Sequence, residues 1–234
     1  MTDSGLAERL QLVLDRIARA ARSVGRSELD VTLVAVSKKQ RAVDMNELGT
    51  LILNSGRTVV FGESYLQEFS GKKEELRIPH QVHYIAPLQS NKISKVVGIF
   101  SLIESIHSEK VLRLVEAECL KQSIQLPVFI QVNVSEDPRK SGVSLSDCER
   151  IFAEIVPRLK AVSVSGLMTI TEYYEVPNMA RADFAKLREL GQKLQLSLGR
   201  PLALSMGMSA DFDIAIQEGA THIRVGSALF GDRQ

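Results

Sequence analysis

The sequence predicts a single (β/α)8 TIM barrel with an extra helix at its N-terminus. Three observations carry that prediction. Apolar, β-branched runs recur eight times from Val31 onward. Helical patterns alternate with those runs, which implies parallel pairing through right-handed crossovers. No Gly-x-Gly-x-x-Gly turn follows the first run, as an open doubly wound nucleotide-binding sheet would favour.

Taken in order, the chain starts with an amphipathic helix within residues 1–26. Leu6, Leu10, Val13 and Ile17 recur at helical spacing and Gly25 ends the pattern. This helix precedes the first strand, so it is an addition that either closes the bottom of the sheet or packs across the outer helices. Val31-Thr-Leu-Val-Ala-Val36 has no polar alternation, which suits a strand buried on both faces. Further strand-like runs fall at 59–61, 82–86, 101–105, 127–134, 162–168, 202–205 and 221–225. Helical patterns lie between them at 42–54, 64–76, 90–98, 108–122, 146–159, 178–196 and 210–218. Val111, Leu114 and Val115 mark one apolar stripe; Ala180, Phe184, Leu187, Gly191 and Leu194 mark another. Ser64, Ser90, Ser108 and Ser146 are expected as N-caps. The stretch from Ser135 to Gly142, with Pro138, reads as a mobile surface loop after the fifth strand. No linker or low-complexity tract interrupts the alternation, so residues 1–234 read as one domain, with the barrel spanning 31–231.

Bulk properties narrow the function. The 234 residues carry 29 Lys and Arg against 28 Asp and Glu, a net charge of +1 that argues against a nucleic-acid binder or a polybasic membrane anchor. No apolar run approaches a membrane span of roughly 18 residues. The first residues include Asp3 and Glu8 and no apolar segment of the signal-peptide kind. Cys119 and Cys148 have no partners at metal-ligand spacing and read as packed thiols. A cytoplasmic protein is expected, with no metal.

In such barrels chemistry sits at the C-terminal ends of the strands. Those ends read Ser37-Lys38, Gly62-Glu63-Ser64, the stretch from Pro87 to Lys92, Glu104-Ser105, Asn133, Met168, Ser205-Met206-Gly207 and Gly226-Ser227. Lys38 ends a buried strand, where desolvation favours a neutral amine able to attack an aldehyde and form a Schiff base. Side chains alternate along an extended chain, so Lys39 is expected to point away. The loops after strands seven and eight, with a short extra helix, are the usual phosphate site of the fold. Gly226 permits close backbone approach, and the hydroxyls of Ser205 and Ser227 add donors. Asp211 and Asp213 nearby would repel a phosphate unless they point away. Strand eight closes against strand one, so the lysine and the phosphate donors become neighbours. A ligand with an aldehyde and a phosphate a few ångströms apart fits between them, and pyridoxal 5'-phosphate is such a molecule.

Seven motifs then converge: Ala35-Val-Ser-Lys38, Phe61-Gly-Glu63, His83-Tyr-Ile-Ala-Pro-Leu-Gln-Ser-Asn-Lys92, Lys140-Ser-Gly142, Gly166-Leu-Met168, Leu204-Ser-Met-Gly-Met-Ser209 and Arg224-Val-Gly226. Their order and content resemble the pyridoxal-phosphate homeostasis protein family over nearly the whole chain. Two departures are Ser64, where the family usually has Asn, and Ala86, where it usually has Gly. The resemblance implies a barrel like the N-terminal domain of alanine racemase, with Lys38 as the cofactor lysine and a role in intracellular vitamin B6 balance without established turnover. The expected cofactor-binding residues are Lys38, Met168, Ser205, Met206, Arg224, Gly226 and Ser227, with no catalytic residue.

The resemblance also places Arg224 against the pyridine nitrogen. Arginine only donates, so the ring nitrogen facing it stays unprotonated and the ring is a weak electron sink. Among the tyrosines, only Tyr173 and Tyr174 fall in a loop able to reach the site, and no histidine has an acid partner close in sequence. A cofactor carrier is therefore favoured over a small amino-acid racemase or lyase, and over a class I aldolase-like barrel. Lys140, on the loop after strand five, is a candidate for transient contact with the cofactor during release. The expected partners are the cofactor itself and, transiently, apo-enzymes that require it; a monomer is expected.

Overall fold

Eight parallel strands close on themselves in sequence order: β1 (Thr32–Val36), β2 (Val60–Glu63), β3 (Gln81–Tyr84), β4 (Leu102–Ile106), β5 (Leu126–Gln131), β6 (Val162–Met168), β7 (Ala203–Ser205) and β8 (His222–Val225). The computed structural model describes residues 4–137, 139–172 and 174–231. Closure is made by β1 and β8, with Val34 beside Arg224 and Ala35 beside Val225. The predicted strands are all present, displaced by a few residues at most.

The helices are α1 (Ser4–Arg22), α2 (Ala42–Asn54), α3 (Leu66–Lys72), α4 (Ile93–Val97), α5 (Glu109–Gln122), α6 (Leu145–Glu154), α7 (Arg181–Leu198), α8 (Phe212–Gln217) and α9 (Ser227–Phe230). Several are shorter than their periodic patterns because a 3-10 turn replaces one end: Lys73–Glu75, Ser90–Lys92, Val156–Arg158 and Pro177–Ala180. Ser108 caps α5, accepting from Val111 N–H at 3.3 Å. The other expected caps differ. Ser144 rather than Ser146 caps α6, Tyr65 precedes α3 without a side-chain cap, and Gln89 rather than Ser90 precedes the 3-10 turn. At α6 the reason is that Ser146 already lies inside the first helical turn, so its backbone is helical.

Side-chain alternation sorts the strands into two cores. Outward residues such as Ala35, Phe61, Ile103, Ile130, Leu167, Leu204 and Val225 pack under the helices in one continuous apolar layer. Inside the barrel, Leu102, Phe129, Met168 and Ala203 form a small apolar plug, Val34 and Val60 share the inward face with Arg224, and a polar network of Arg224, Ser205, Glu104 and His83 crosses the interior. Helix α1 buries Leu6, Leu10, Val13 and Ile17 against α8, α9 and α2. It packs across outer helices rather than closing the bottom. The loop after β5 is tied down: Asn133 Nδ2 donates to the Asp137 carbonyl at 2.7 Å, Gln131 Nε2 to the Ser141 carbonyl at 2.9 Å, and Val132 bridges Val143. Pro138 lies outside the described residues. Cys119 and Cys148 are buried free thiols, and burial pushes them up to about 11 and about 12. No described helix is long and apolar enough to cross a membrane.

Candidate functional site

At the end of β1 the chain turns sharply: Gln40 N–H donates to the Ser37 carbonyl at 3.0 Å. Helix α3 holds this turn through one buried lysine. Lys72 Nζ donates to the carbonyls of Ser37 (3.0 Å) and Gln40 (3.1 Å) and pairs with Glu63 (2.9 Å) and Glu68 (2.8 Å). Glu63 also accepts from the Ser37 hydroxyl at 2.7 Å, and Glu68 accepts from Lys39 N–H at 2.6 Å. Burial pushes the Glu63 carboxyl up, opposed by Lys72 and Ser37. Lys38 thus sits partly buried in a turn with both flanks fixed, whereas Lys39 is exposed. Strand alternation is not what separates the two lysines. Lys39 has φ 65°, so the chain has already left the extended conformation, and the turn itself turns Lys39 to solvent.

Below the mouth, a polar network crosses the barrel interior. Arg224, on β8, donates Nη1 to the Ser205 hydroxyl at 2.6 Å and Nη2 to the Thr169 carbonyl at 2.7 Å. The Ser205 hydroxyl donates to Glu104 Oε2 at 2.5 Å, and Glu104 Oε1 meets His83 Nδ1 at 2.7 Å. Burial pushes the Glu104 carboxyl up, but the hydrogen bond from His83 and the positive charge of Arg224 outweigh it and bring it to about 2. His222, whose ring lies 6.0 Å from His83 and 5.2 Å from Phe129, is lowered to about 4 by burial, against the pull of Glu104. The Ser205 hydroxyl is therefore fully engaged with Glu104 and Arg224 and is not free to donate to a phosphate.

At the junction of the β7 and β8 loops the hydroxyl present is that of Ser209. It accepts from Ser227 Oγ at 3.3 Å and from Ala228 N–H at 3.5 Å, joining the loop after β7 to the turn after β8. The glycine that this junction requires is Gly207. It has φ 92°, and a Cβ there would lie 2.5 Å from the Cβ of Ala215. At Gly226 a Cβ would only touch Val36, at 3.4 Å. Asp213 is turned outward, pairing with Arg16 of α1, whereas Asp211 stays at the loop: it accepts from Met208 N–H at 2.7 Å and lies within electrostatic reach of Arg224.

The structure brings Lys38, Arg224, Ser205, Gly226 and Ser227 together around the mouth end of β1, β7 and β8, with Met168 in the interior plug beside Phe129. Met206 is the exception: its side chain packs in the outer core beneath the helices. Lys140 Nζ reaches the Ser135 hydroxyl at 3.3 Å and lies 3.9 Å from Glu172, on the loop after β6. Tyr174 donates its hydroxyl to Asp183 at 2.9 Å, and burial and Asp183 push it up to about 12. Tyr173 lies outside the described residues. Glu104, Lys72, His83 and Ser209 went unassigned in the sequence because their partners are distant: Glu104 meets Ser205 across 101 residues. A strand-end position with inward parity is the one signal that marked Glu104.

A family model described as "Alanine racemase, N-terminal domain" matches residues 12–234. A protein of Aquifex aeolicus named pyridoxal phosphate homeostasis protein is 39% identical over 229 residues, 97% of this chain and 98% of its own. The solved structure of PipY from Synechococcus elongatus with PLP bound is 31% identical, with a TM-score of 0.81 over 97% of this chain and 100% of that one. An alanine racemase from Clostridium difficile shares the fold at 13% identity and a TM-score of 0.70, over 97% of this chain but only 57% of its own length.

Proposed function

This chain belongs to the pyridoxal phosphate homeostasis proteins, a branch of the alanine racemase N-terminal-domain family, and we propose that it binds pyridoxal 5'-phosphate at the barrel mouth. It holds the cofactor for the intracellular vitamin B6 pool rather than turning over a substrate. The residues fit that ligand. Two hydroxyls meet where the β7 and β8 loops join, and a lysine stands in a fixed turn one strand away. When bound, the cofactor supplies an aldehyde that a lysine amine can attack and a phosphate that needs fixed donors.

The observation that carries the reading is the closure of the barrel. β1 pairs with β8, and Gly226 lies against Val36, two residues before Lys38. In this reading Lys38 holds the aldehyde end. Ser209, Ser227 and the backbone at Gly226 hold the phosphate, and Arg224 donates toward the ring nitrogen. Met168 supports the ring from below. Ser205 acts by fixing Arg224, and Met206 by anchoring the outer side of the strand end that carries Ser205 and Gly207. Arginine at the ring nitrogen keeps it unprotonated and suits storage over carbanion chemistry. The second reading, a small racemase, needs a proton acceptor opposite Lys38. Tyr174 is ill-suited to that task, since its proton is held by Asp183. The proposal extends to a monomer in the cytoplasm, where buried, unbridged Cys119 and Cys148 suit a reducing compartment. It includes transient contact with apo-enzymes that take up the cofactor.

A titration tests the function. The purified protein is expected to develop a visible absorbance band with stoichiometric pyridoxal 5'-phosphate. Lys38→Ala should lose that band while the fold is kept. L-alanine added to the loaded protein is expected to yield no D-alanine beyond one equivalent. Many turnovers per protein would establish the racemase reading instead.

A further inference from the structure

We propose that helix α1 is a splint for the phosphate cradle and that Arg16, assisted by Arg9, positions the cradle's donors. This rests on the reading that a phosphorylated pyridoxal occupies the mouth. The cradle is assembled from two separate pieces of chain, Gly207–Ser209 after β7 and Gly226–Ser227 after β8, which meet through the hydroxyls of Ser209 and Ser227. A site made of two loops binds an anion well only if both are fixed before it arrives, because ordering them on binding subtracts from affinity.

Helix α1 grips each piece from outside the barrel. Arg16 Nη1 donates to the Ser209 carbonyl at 3.2 Å. The same guanidinium forks onto Asp213 in the first turn of α8, through Nε at 3.1 Å and Nη2 at 2.5 Å, and lies 4.0 Å from the centre of the Phe212 ring. Arg9 Nε donates to the Leu229 carbonyl at 2.7 Å, at the far end of the segment that begins with Ser227. Seven residues separate the two arginines, so they share one face of the helix. A planar fork satisfies a carboxylate and a carbonyl together, which a lysine cannot do in the same geometry. Arg16 has a second effect. It neutralises Asp213, the aspartate whose charge would otherwise oppose an anion bound four residues upstream.

The splint acts on the phosphate end alone, so the discriminating readout is the preference for pyridoxal 5'-phosphate over pyridoxal. Affinity for both is measured by absorbance titration of the full-length protein, alongside its thermal midpoint. Arg16→Met keeps a long apolar side chain beside Phe212 but loses the fork and the charge over the ring. It is expected to lower the preference about ten-fold, chiefly through weaker binding of the phosphorylated form. Arg16→Lys, which restores one donor and the charge, is expected to recover part of it. Asp213→Asn removes the ionic partner at the surface without touching the packed face of α1. It should lower the preference by a smaller factor, and it serves as the test should Arg16→Met fold poorly. Equal losses for the two ligands, or an unchanged preference in both Arg16→Met and Asp213→Asn, overturn the splint while leaving the cofactor reading intact. A wild-type protein with no preference for the phosphorylated form overturns the cradle and the splint together.

Discussion

Inside the barrel, Glu104 keeps its charge because His83 and Arg224 flank it, while His222 stays neutral because it is enclosed. Both shifts make the native state sensitive to acid. His222 falls from 6.5 to about 4, so below its ordinary value the unfolded chain takes up a proton that the native chain refuses. Stability from this group is full above the ordinary value and is lost as pH falls toward 4. Glu104 falls from 4.5 to about 2, and its stabilisation is lost as pH drops through that lower window. Each shift corresponds to at most about 3 kcal/mol. Denaturant unfolding in buffers stepped from neutral to pH of about 4 should show a steady fall in stability, reduced in His222→Gln. A flat profile over that range would contradict the network as described. Arg224 was assigned in the sequence only through the family resemblance. Glu104 was visible at its own strand end, but nothing in the sequence joined it to Arg224 and Ser205, because the shared layer depends on how the strands stagger around the barrel.

The turn after β1 is an element whose shape is set by another element. Lys72 of α3 ties Ser37 and Gln40 together and neutralises buried Glu63. Lys72→Met should therefore act in two ways. It leaves Glu63 as a buried charge without its cation, a loss of roughly 3 kcal/mol by analogy with broken buried pairs. It also frees the turn carrying Lys38, so the rate of covalent attachment of pyridoxal 5'-phosphate should fall even under conditions where the fold is fully populated. Unfolding curves and stopped-flow absorbance separate the two effects. Unchanged stability and an unchanged rate would mean that the clamp is ornamental. The strands and helices themselves were legible because unbroken apolar runs and helical stripes survive in one dimension. Helix ends and the Lys72 clamp were not, because they depend on contacts such as the 35-residue span from Ser37 to Lys72.

At the scale of the whole molecule, closure is what turns scattered residues into a site. Eight strand-like runs predict the count, and the count predicts that β8 returns to β1, so Lys38 and Gly226 were neighbours before any coordinates. The path of α1 was open between two placements in the sequence. Its apolar stripe requires a partner but does not say which, and the structure sets it across α8 and α9, beside the loops after β7 and β8. The polar network inside the barrel, the Ser209–Ser227 junction and the bracing arginines all follow from that closed arrangement. Lys38, rather than its neighbour Lys39, is the residue proposed to hold the cofactor's aldehyde. Borohydride reduction of the loaded protein followed by peptide mapping by mass spectrometry tests it most directly. One pyridoxyl group is expected, on Lys38; a modification carried mainly by Lys39, or spread over surface lysines with Lys38 unmodified, would rule this assignment out.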